Sequence, residues 1–325
     1  MILRRFFLLV MAVFEVWASV PAMAQLYPTR PIKLVVPLTA GGPGDVVARV
    51  IAQRMSEALG QSVVVENVAG ANMNIGADQV AKAAPDGYTM VMSATPMIVN
   101  PAMYARMTYD PLKDFTPISL VASFPLVLVS SNGLPFNSVS ELITYGKQNP
   151  GVLNYGSAGN GSTTHLAGVI FGGMSGVKLV HVPYRGINEA MTDVIGGRVQ
   201  LSFAGAPIAL PNAKAGKVRA IASTGARRSS SAPDLVTVAE GGLAGFDVSS
   251  WYGIEAPRGT PPSIINRWHN ELVKIMKLPQ TKERWLMLGA DATYNESPEE
   301  FDKMKKEDSL KWAKAVKDSG AKIDQ

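Results

Sequence analysis

The sequence predicts an α/β protein of two domains, each a mainly parallel sheet flanked by helices, joined by a hinge of two crossing segments. Three observations predict it. Short apolar runs such as residues 32–36 alternate with longer segments of helical periodicity, the pattern of strand–helix–strand units. A glycine-rich strand-to-helix turn occurs at residues 38–44 and again at 156–164. The 325 residues, 47% of them hydrophobic, suffice for two cores.

The opening unit spans residues 32–59. Ile32, Leu34, Val35 and Val36 form an apolar run closed by Pro37, suited to a strand covered on both faces. Val46, Val47, Val50, Ile51, Met55 and Leu59 then recur at three- and four-residue steps, so one helical face is apolar. Gly41, Gly42 and Gly44 lie between, and Asp45 is placed to cap free N–H groups at the helix start. Such a turn leaves amides pointing outward beside the positive end of the helix dipole, a site for an anion. The alternative is that the glycines only let the chain turn sharply. Gly42-x-Gly44 lacks the third glycine of a dinucleotide fingerprint, and no lysine follows as a P-loop requires.

A second strand at 63–65, a helix at 75–84 and a third strand at 88–92 follow, then a small polar loop, Ser93-Ala94-Thr95-Pro96. Ligands of open parallel sheets gather outside the carboxyl ends of the strands, where both loops fall. The apolar run 118–131, interrupted at Ser123-Phe124-Pro125, leads into the second domain, and Ser138 with Glu141 has capping-box spacing. Residues 153–155 then enter Gly156-Ser157-Ala158-Gly159-Asn160-Gly161-Ser162-Thr163-Thr164-His165, and an apolar helix follows at 166–174. Two such turns facing one another give two sets of amide and hydroxyl donors for one anionic ligand. Strands near 179–182, 200–203 and 218–223 complete the domain. Residues 246–252 return the chain to the first domain. The tail is helical at 263–276, 281–288 and 299–317, with Ser297, Glu300 and Pro298 opening the last helix. The boundaries expected are 25–123 plus 251–325 for domain 1 and 124–250 for domain 2.

Residues 1–24 read as a cleaved signal peptide: Arg4 and Arg5, an apolar stretch from 6 to 20, and Ala22-Met23-Ala24 as the cleavage site. Arg4-Arg5-Phe6-Phe7-Leu8 also resembles a twin-arginine core. Removal takes Arg4, Arg5 and Glu15, lowering the net charge from +5 to +4. The basic residues are scattered without interleaved aromatics, so nucleic acid is not expected as a partner. The absence of cysteine removes disulfides, thiolate chemistry and a lipid-anchoring cysteine. His165, His181 and His269 are too scattered for a metal site, and no cofactor is expected. The chain reads as exported, soluble and unanchored.

Several motifs in order resemble the Bug receptors, the extracytoplasmic solute receptors of tripartite tricarboxylate transporters. They are Tyr27-Pro28-Thr29-Arg30-Pro31-Ile32, Val36-Pro37-Leu38-Thr39-Ala40-Gly41-Gly42 with Asp45, Ala84-Pro85-Asp86-Gly87-Tyr88-Thr89, the 155–165 turn, His181-Val182-Pro183-Tyr184-Arg185-Gly186, Gly196-Gly197-Arg198-Val199-Gln200, and the run from Leu210 to Lys217. The resemblance implies a type II periplasmic-binding-protein (flytrap) architecture that closes around a small carboxylate. It implies that one ligand carboxylate is held by Leu38, Thr39, Ala40, Gly41 and Gly42 and by Ser157, Ala158, Gly159, Asn160, Gly161, Ser162 and Thr163. The far end of the ligand would be read by Ser93, Thr95, Tyr184, Ala204, Gly205, Ala206 and Pro207. Arg185 is either a fork-shaped donor to a distal carboxylate or a rim residue. His165 is either a ligand donor or a structural imidazole, and Trp251 packs the hinge or lines the cleft. The Lys-rich face near Lys303, Lys305 and Lys306 reads as solvated surface.

The departures from the family pattern bear on specificity. Leu38 stands where an aromatic residue is common, Gly44 where a small hydroxyl is frequent, and Asn72-Met73 replaces a glycine pair. Phe203-Ala204-Gly205 lacks the aspartate of some members, which argues against an amino-acid ligand. The expected ligand is a di- or tricarboxylate, or an aromatic carboxylate, without an amino group. The expected protein is a monomeric periplasmic binding protein working with transporter membrane subunits, or alternatively a sensor partnering a membrane histidine kinase. An enzyme is not expected, because neither Ser157 nor Ser162 is centred in G-x-S-x-G.

Overall fold

The computed structural model describes residues 27–321; the expected signal peptide lies outside them. The first half holds β1 (Ile32–Val36), α1 (Pro43–Leu59), β2 (Val63–Asn67), α2 (Asn74–Ala81), β3 (Thr89–Ala94) and α3 (Thr95–Met103). Next come β4 (Phe115–Ser130), α4 (Val139–Gln148), β5 (Asn154–Ser157), α5 (Thr163–Ser175), β6 (Val180–Pro183), α6 (Ile187–Ile195), β7 (Leu201–Gly205), α7 (Ala206–Lys214) and β8 (Arg219–Ser223). The chain ends with β9 (Ser249–Pro257), α8 (Pro262–Lys277), α9 (Pro279–Met287) and α10 (Pro298–Ser319).

Strand order is β2-β1-β3-β9-β4-β7-β5-β6, with β8 also on β4. β1, β2 and β3 are mutually parallel, as are β5, β6 and β7, as the strand–helix alternation predicts. The join between these two groups is antiparallel. β4 pairs with β9 from Phe115 to Pro125, then with β7 and β8 from Leu126 to Ser130. One long strand therefore carries the chain out of the first domain, and β9 brings it back alongside.

Each domain has apolar clusters on both faces of its sheet. In the first, Leu34, Val47, Ile51 and Trp268 pack on one side, and Val35, Ala77 and Val91 on the other. In the second, Leu128, Phe171 and Phe203 oppose Val129, Met191 and Ala209. Burial of large side chains at roughly 1.5–3 kcal/mol each is the main force holding such layers together.

α10 reaches both domains. Its Phe301 lies edge-on to Trp251, centroids 5.5 Å apart, while Trp312 and Val316 join the cluster of Phe171 and Phe246. Gly253 makes room, since a Cβ there would stand 2.2 Å from Phe301. Trp251 donates Nε1–H to Asp308 at 2.8 Å, so it packs beside the crossing strands. Lys303 and Lys306 are exposed as expected, but Lys305 is buried: it pairs with the buried Glu255 and donates to Pro111 O at 3.0 Å. A partner 50 residues away in β9, invisible to a helical-face reading, pulls it inside.

α3 starts directly after β3, where a small polar loop is expected at 93–96, and α7 likewise follows β7 without a loop. Pro96 and Pro207 fall in the first turn, where a missing N–H costs nothing, and Pro101 and Pro211 are accommodated in helices of only nine residues. Both capping boxes form, with Ser138 accepting from Glu141 N and Ser297 from Glu300 N, each at 3.3 Å.

Candidate functional site

The turns after β1, β3, β5 and β7 each end in a helix N-terminus at the carboxyl ends of the strands. Two belong to each domain, on either side of β4 and β9. At a helix start the first amides have no intrahelical acceptor, and the helix dipole adds partial positive charge.

The β1–α1 turn is held open by side chains beneath it. Thr39, Ala40 and Gly41 are exposed, and Leu38 and Gly42 half-buried. Asp45 was expected to cap α1; instead it reaches back, accepting from Gly41 N and from Arg49 Nε, both at 2.9 Å. Its position in the first turn lets the carboxylate close the loop ahead of the helix, and Gly41 has φ +81°, which favours glycine. Arg49 donates onward to Asn67 Oδ1 at 3.1 Å, and Asn67 Nδ2 donates to Leu38 O at 3.2 Å. The Arg49 hydrogen bond, with Gly41's, lowers the Asp45 carboxyl to about 2, against burial, which acts to raise it. Arg49 and Asn67 were missed from sequence, although the i,i+4 spacing of Asp45 and Arg49 is a visible signal.

The β5–α5 turn is folded on itself. Ser162 caps α5, accepting from His165 N at 3.2 Å, and its hydroxyl donates to Gly159 O at 2.7 Å. Thr164 Oγ1 accepts from Ala158 N at 2.9 Å, and Gly161 N donates to His165 Nδ1 at 3.0 Å. Ser157 lies behind the turn, fully buried, 2.6 Å from His181 Nε2 and accepting from Gly159 N at 3.1 Å. Asn160 is exposed and Thr163 half-buried, but the amides of Ala158, Gly159, Gly161, Ser162 and His165 are all engaged inside the turn, against the expectation that its amides point outward. His165 is buried, and its imidazole is held down to about 4 by desolvation and by the neighbouring His181, itself lowered by burial. Accepting from Gly161 requires that Nδ1 carry no proton.

At the far end, Thr95 is buried and accepts from Trp251 N at 2.9 Å, tying α3 to the returning strand. Ser93 is buried, with no partner for its hydroxyl among the described residues. Tyr184 donates to Asp193 at 2.6 Å and is pushed up to about 12 by burial and by that acceptor. Arg185 is exposed, with its amide on Glu189 Oε2 at 3.2 Å. Ala204 and Ala206 are buried, Gly205 is half-buried, and Pro207 is exposed at the start of α7. The domains meet at Gly161, where a Cβ would stand 2.3 Å from Met103 Cε, and at Gly289, 2.4 Å from Pro207 Cδ. Among the described residues no three His, Asp or Glu converge to hold a metal, and no helix is long and apolar enough to cross a membrane.

The comparisons with known proteins agree with this architecture. Residues 47–321 match the family model described as tripartite tricarboxylate transporter family receptor. Protein BugT of Bordetella pertussis is 34% identical over 320 residues, covering 97% of this chain and 98% of its own. R. palustris Rpa4515 with adipate is 37% identical, covers 91% of this chain and 100% of its own, and superposes with a TM-score of 0.70. A TctC solute binding protein from Polaromonas, solved with no ligand, is 28% identical over 90% of this chain and 99% of its own, with a TM-score of 0.81. The chain belongs to the tripartite tricarboxylate transporter receptor family, the family of the Bug proteins.

Proposed function

We propose that this protein captures a small amino-free carboxylate, a di- or tricarboxylate or an aromatic carboxylate, between its two domains in the periplasm and delivers it to tripartite-transporter membrane subunits. The observation that carries the reading is the pair of glycine-rich turns at the starts of α1 and α5, one in each domain, each set at a helix N-terminus. The domains are taken as residues 25–123 plus 251–325 and 124–250, hinged at β4 and β9. Contacts from both turns exist together only when the cleft is shut, so ligand favours the closed form. Adipate in Rpa4515 supports the carboxylate class. Sensing through a membrane histidine kinase would use the same cleft and differs only in the partner. A hydrolase reading has the Ser157–His181 contact in its favour, but the Ser157 hydroxyl is shut behind the turn.

Thermal unfolding of the mature protein, stripped by unfolding and refolding, tests the reading against di- and tricarboxylates, aromatic carboxylates, acidic amino acids and sugars. Ligand at a hundred times its Kd stabilises by about 2.7 kcal/mol. A rise in Tm with an amino-free carboxylate, absent with its amide and with sugars, is expected. Silence across all carboxylates overturns the reading.

A further inference from the structure

Gly44 sits in the first turn of α1, and the space beside it is filled by others. A Cβ there would stand 2.3 Å from Leu38 Cδ1, 3.2 Å from Met92 Cε and 3.3 Å from Tyr252 Cζ. Leu38 therefore lies down over the start of α1, in the room that a side chain at 44 would take. Tyr252 Cζ is the ring carbon that carries the hydroxyl, so the phenol reaches this same first turn from β9. Phe124, on the other crossing strand, stands edge-on to the Tyr252 ring, centroids 4.9 Å apart. Leu38, Phe124 and Tyr252 are all half-buried at the rim of one apolar cluster. The Tyr252 hydroxyl makes no hydrogen bond among the described residues, whereas those of Tyr184 and Thr95 are engaged. Burial pushes Tyr252 up to about 12, so it keeps its proton as a donor.

We infer that Tyr252 is a specificity-determining residue of the cleft: its hydroxyl donates to the ligand carboxylate at the start of α1, while Leu38, Phe124 and the Tyr252 ring wall that carboxylate with hydrocarbon. This rests on the receptor reading above and narrows it. A ligand whose carbon next to the carboxylate bears only hydrogen or an aromatic ring fits such a wall. One bearing a hydroxyl or an ammonium there loses water on that polar group without gaining a partner, which carries a desolvation penalty. The selected class is thus an alkane dicarboxylate or an arylacetate-type acid, in preference to 2-hydroxy and 2-amino acids.

The test is calorimetric titration of the stripped parent and of Tyr252→Phe with adipate, phenylacetate, mandelate, phenylglycine and 2,5-dihydroxyadipate, the last three substituted next to every carboxylate. In the parent, phenylacetate is expected to bind at least about tenfold more tightly than mandelate or phenylglycine, and adipate than 2,5-dihydroxyadipate, since an unpaired buried polar group costs roughly a factor of ten or more. Tyr252→Phe is expected to weaken the favoured acid about tenfold, the worth of one hydrogen bond to a charged group, with the Tm of the ligand-free protein unchanged. A Tyr252→Phe protein that binds like the parent overturns the inference and leaves the receptor reading standing. So does a parent that binds mandelate, phenylglycine or 2,5-dihydroxyadipate as tightly as phenylacetate and adipate. A parent that binds none of the five overturns the inference, and silence across the full carboxylate panel overturns both.

Discussion

The imidazole rings of His165 and His181 are stacked beneath the second glycine turn, centroids 3.9 Å apart and 18° from parallel, with Tyr155 packed against both. Two cations at that distance repel, and burial disfavours either charge. His165, neutral with Nδ1 free to accept, is what holds the Gly161 amide in place.

Because the folded protein holds His165 near 4 and an unfolded histidine titrates near 6.5, the unfolded chain binds more protons between these values. The resulting stability is fully present above pH 6.5 and is lost as the pH falls toward 4. The expected loss is on the order of 2 kcal/mol. Thermal melts from pH 7.5 to 4 check it: the parent Tm falls through this window, and His165→Gln, which cannot titrate, falls less.

Leu38 and Gly44 are expected to couple. Gly44→Ala displaces the Leu38 side chain toward the cleft, where its flexible end yields at little cost to the fold but alters the wall beside the ligand. Carboxylate affinity is predicted to drop several-fold in Gly44→Ala and to recover in part in the Leu38→Ala/Gly44→Ala pair. A double-mutant cycle should show an interaction of about 0.5–3 kcal/mol.

Lys305 and Glu255 form a buried pair through Glu255 Oε2, and Oε1 has no hydrogen bond among the described residues. Lys305→Met leaves a bare buried carboxylate and is predicted to cost about 3–5 kcal/mol. Adding Glu255→Leu removes that charge and should restore most of the Tm. A double variant as unstable as the single one would show that the pair itself, and not the stranded charge, matters.

Asp45 shapes the first turn from below. Its lowered carboxyl contributes stability that is present above about pH 3.8 and lost as the pH falls through about 2. Asp45→Asn is expected to remove that acid limb and to weaken carboxylate binding by loosening Gly41, with a small change in Tm because Arg49 is largely in water. Melts in the acid range and titration at neutral pH check the two halves separately.

Much of this architecture was legible because local signals and the fold agreed. The run of Ile32 to Val36, the periodic valines of α1 and the glycine turns at 41–44 and 159–161 each name their own structure. Ser138 and Ser297 needed only the glutamate three residues on. What stayed hidden depended on distant partners. Lys305 reads as surface until Glu255 is placed beside it, and Asp45 reads as a helix cap until the turn folds back over it. Ser93-Ala94-Thr95-Pro96 reads as a polar loop, although Pro96 opens a helix there. Tyr252 stands next to Trp251, yet only the fold shows that the first reaches Gly44 at the start of α1 and the second packs on Phe301 of α10.

The central claim is capture by closure of the two domains about β4 and β9. Small-angle X-ray scattering of the stripped protein, alone and with the carboxylate that most raises its Tm, tests it most directly. The account predicts that the radius of gyration falls on saturation, and that it does not change with the corresponding amide. An unchanged radius of gyration at a ligand concentration that calorimetry shows to be saturating would contradict it.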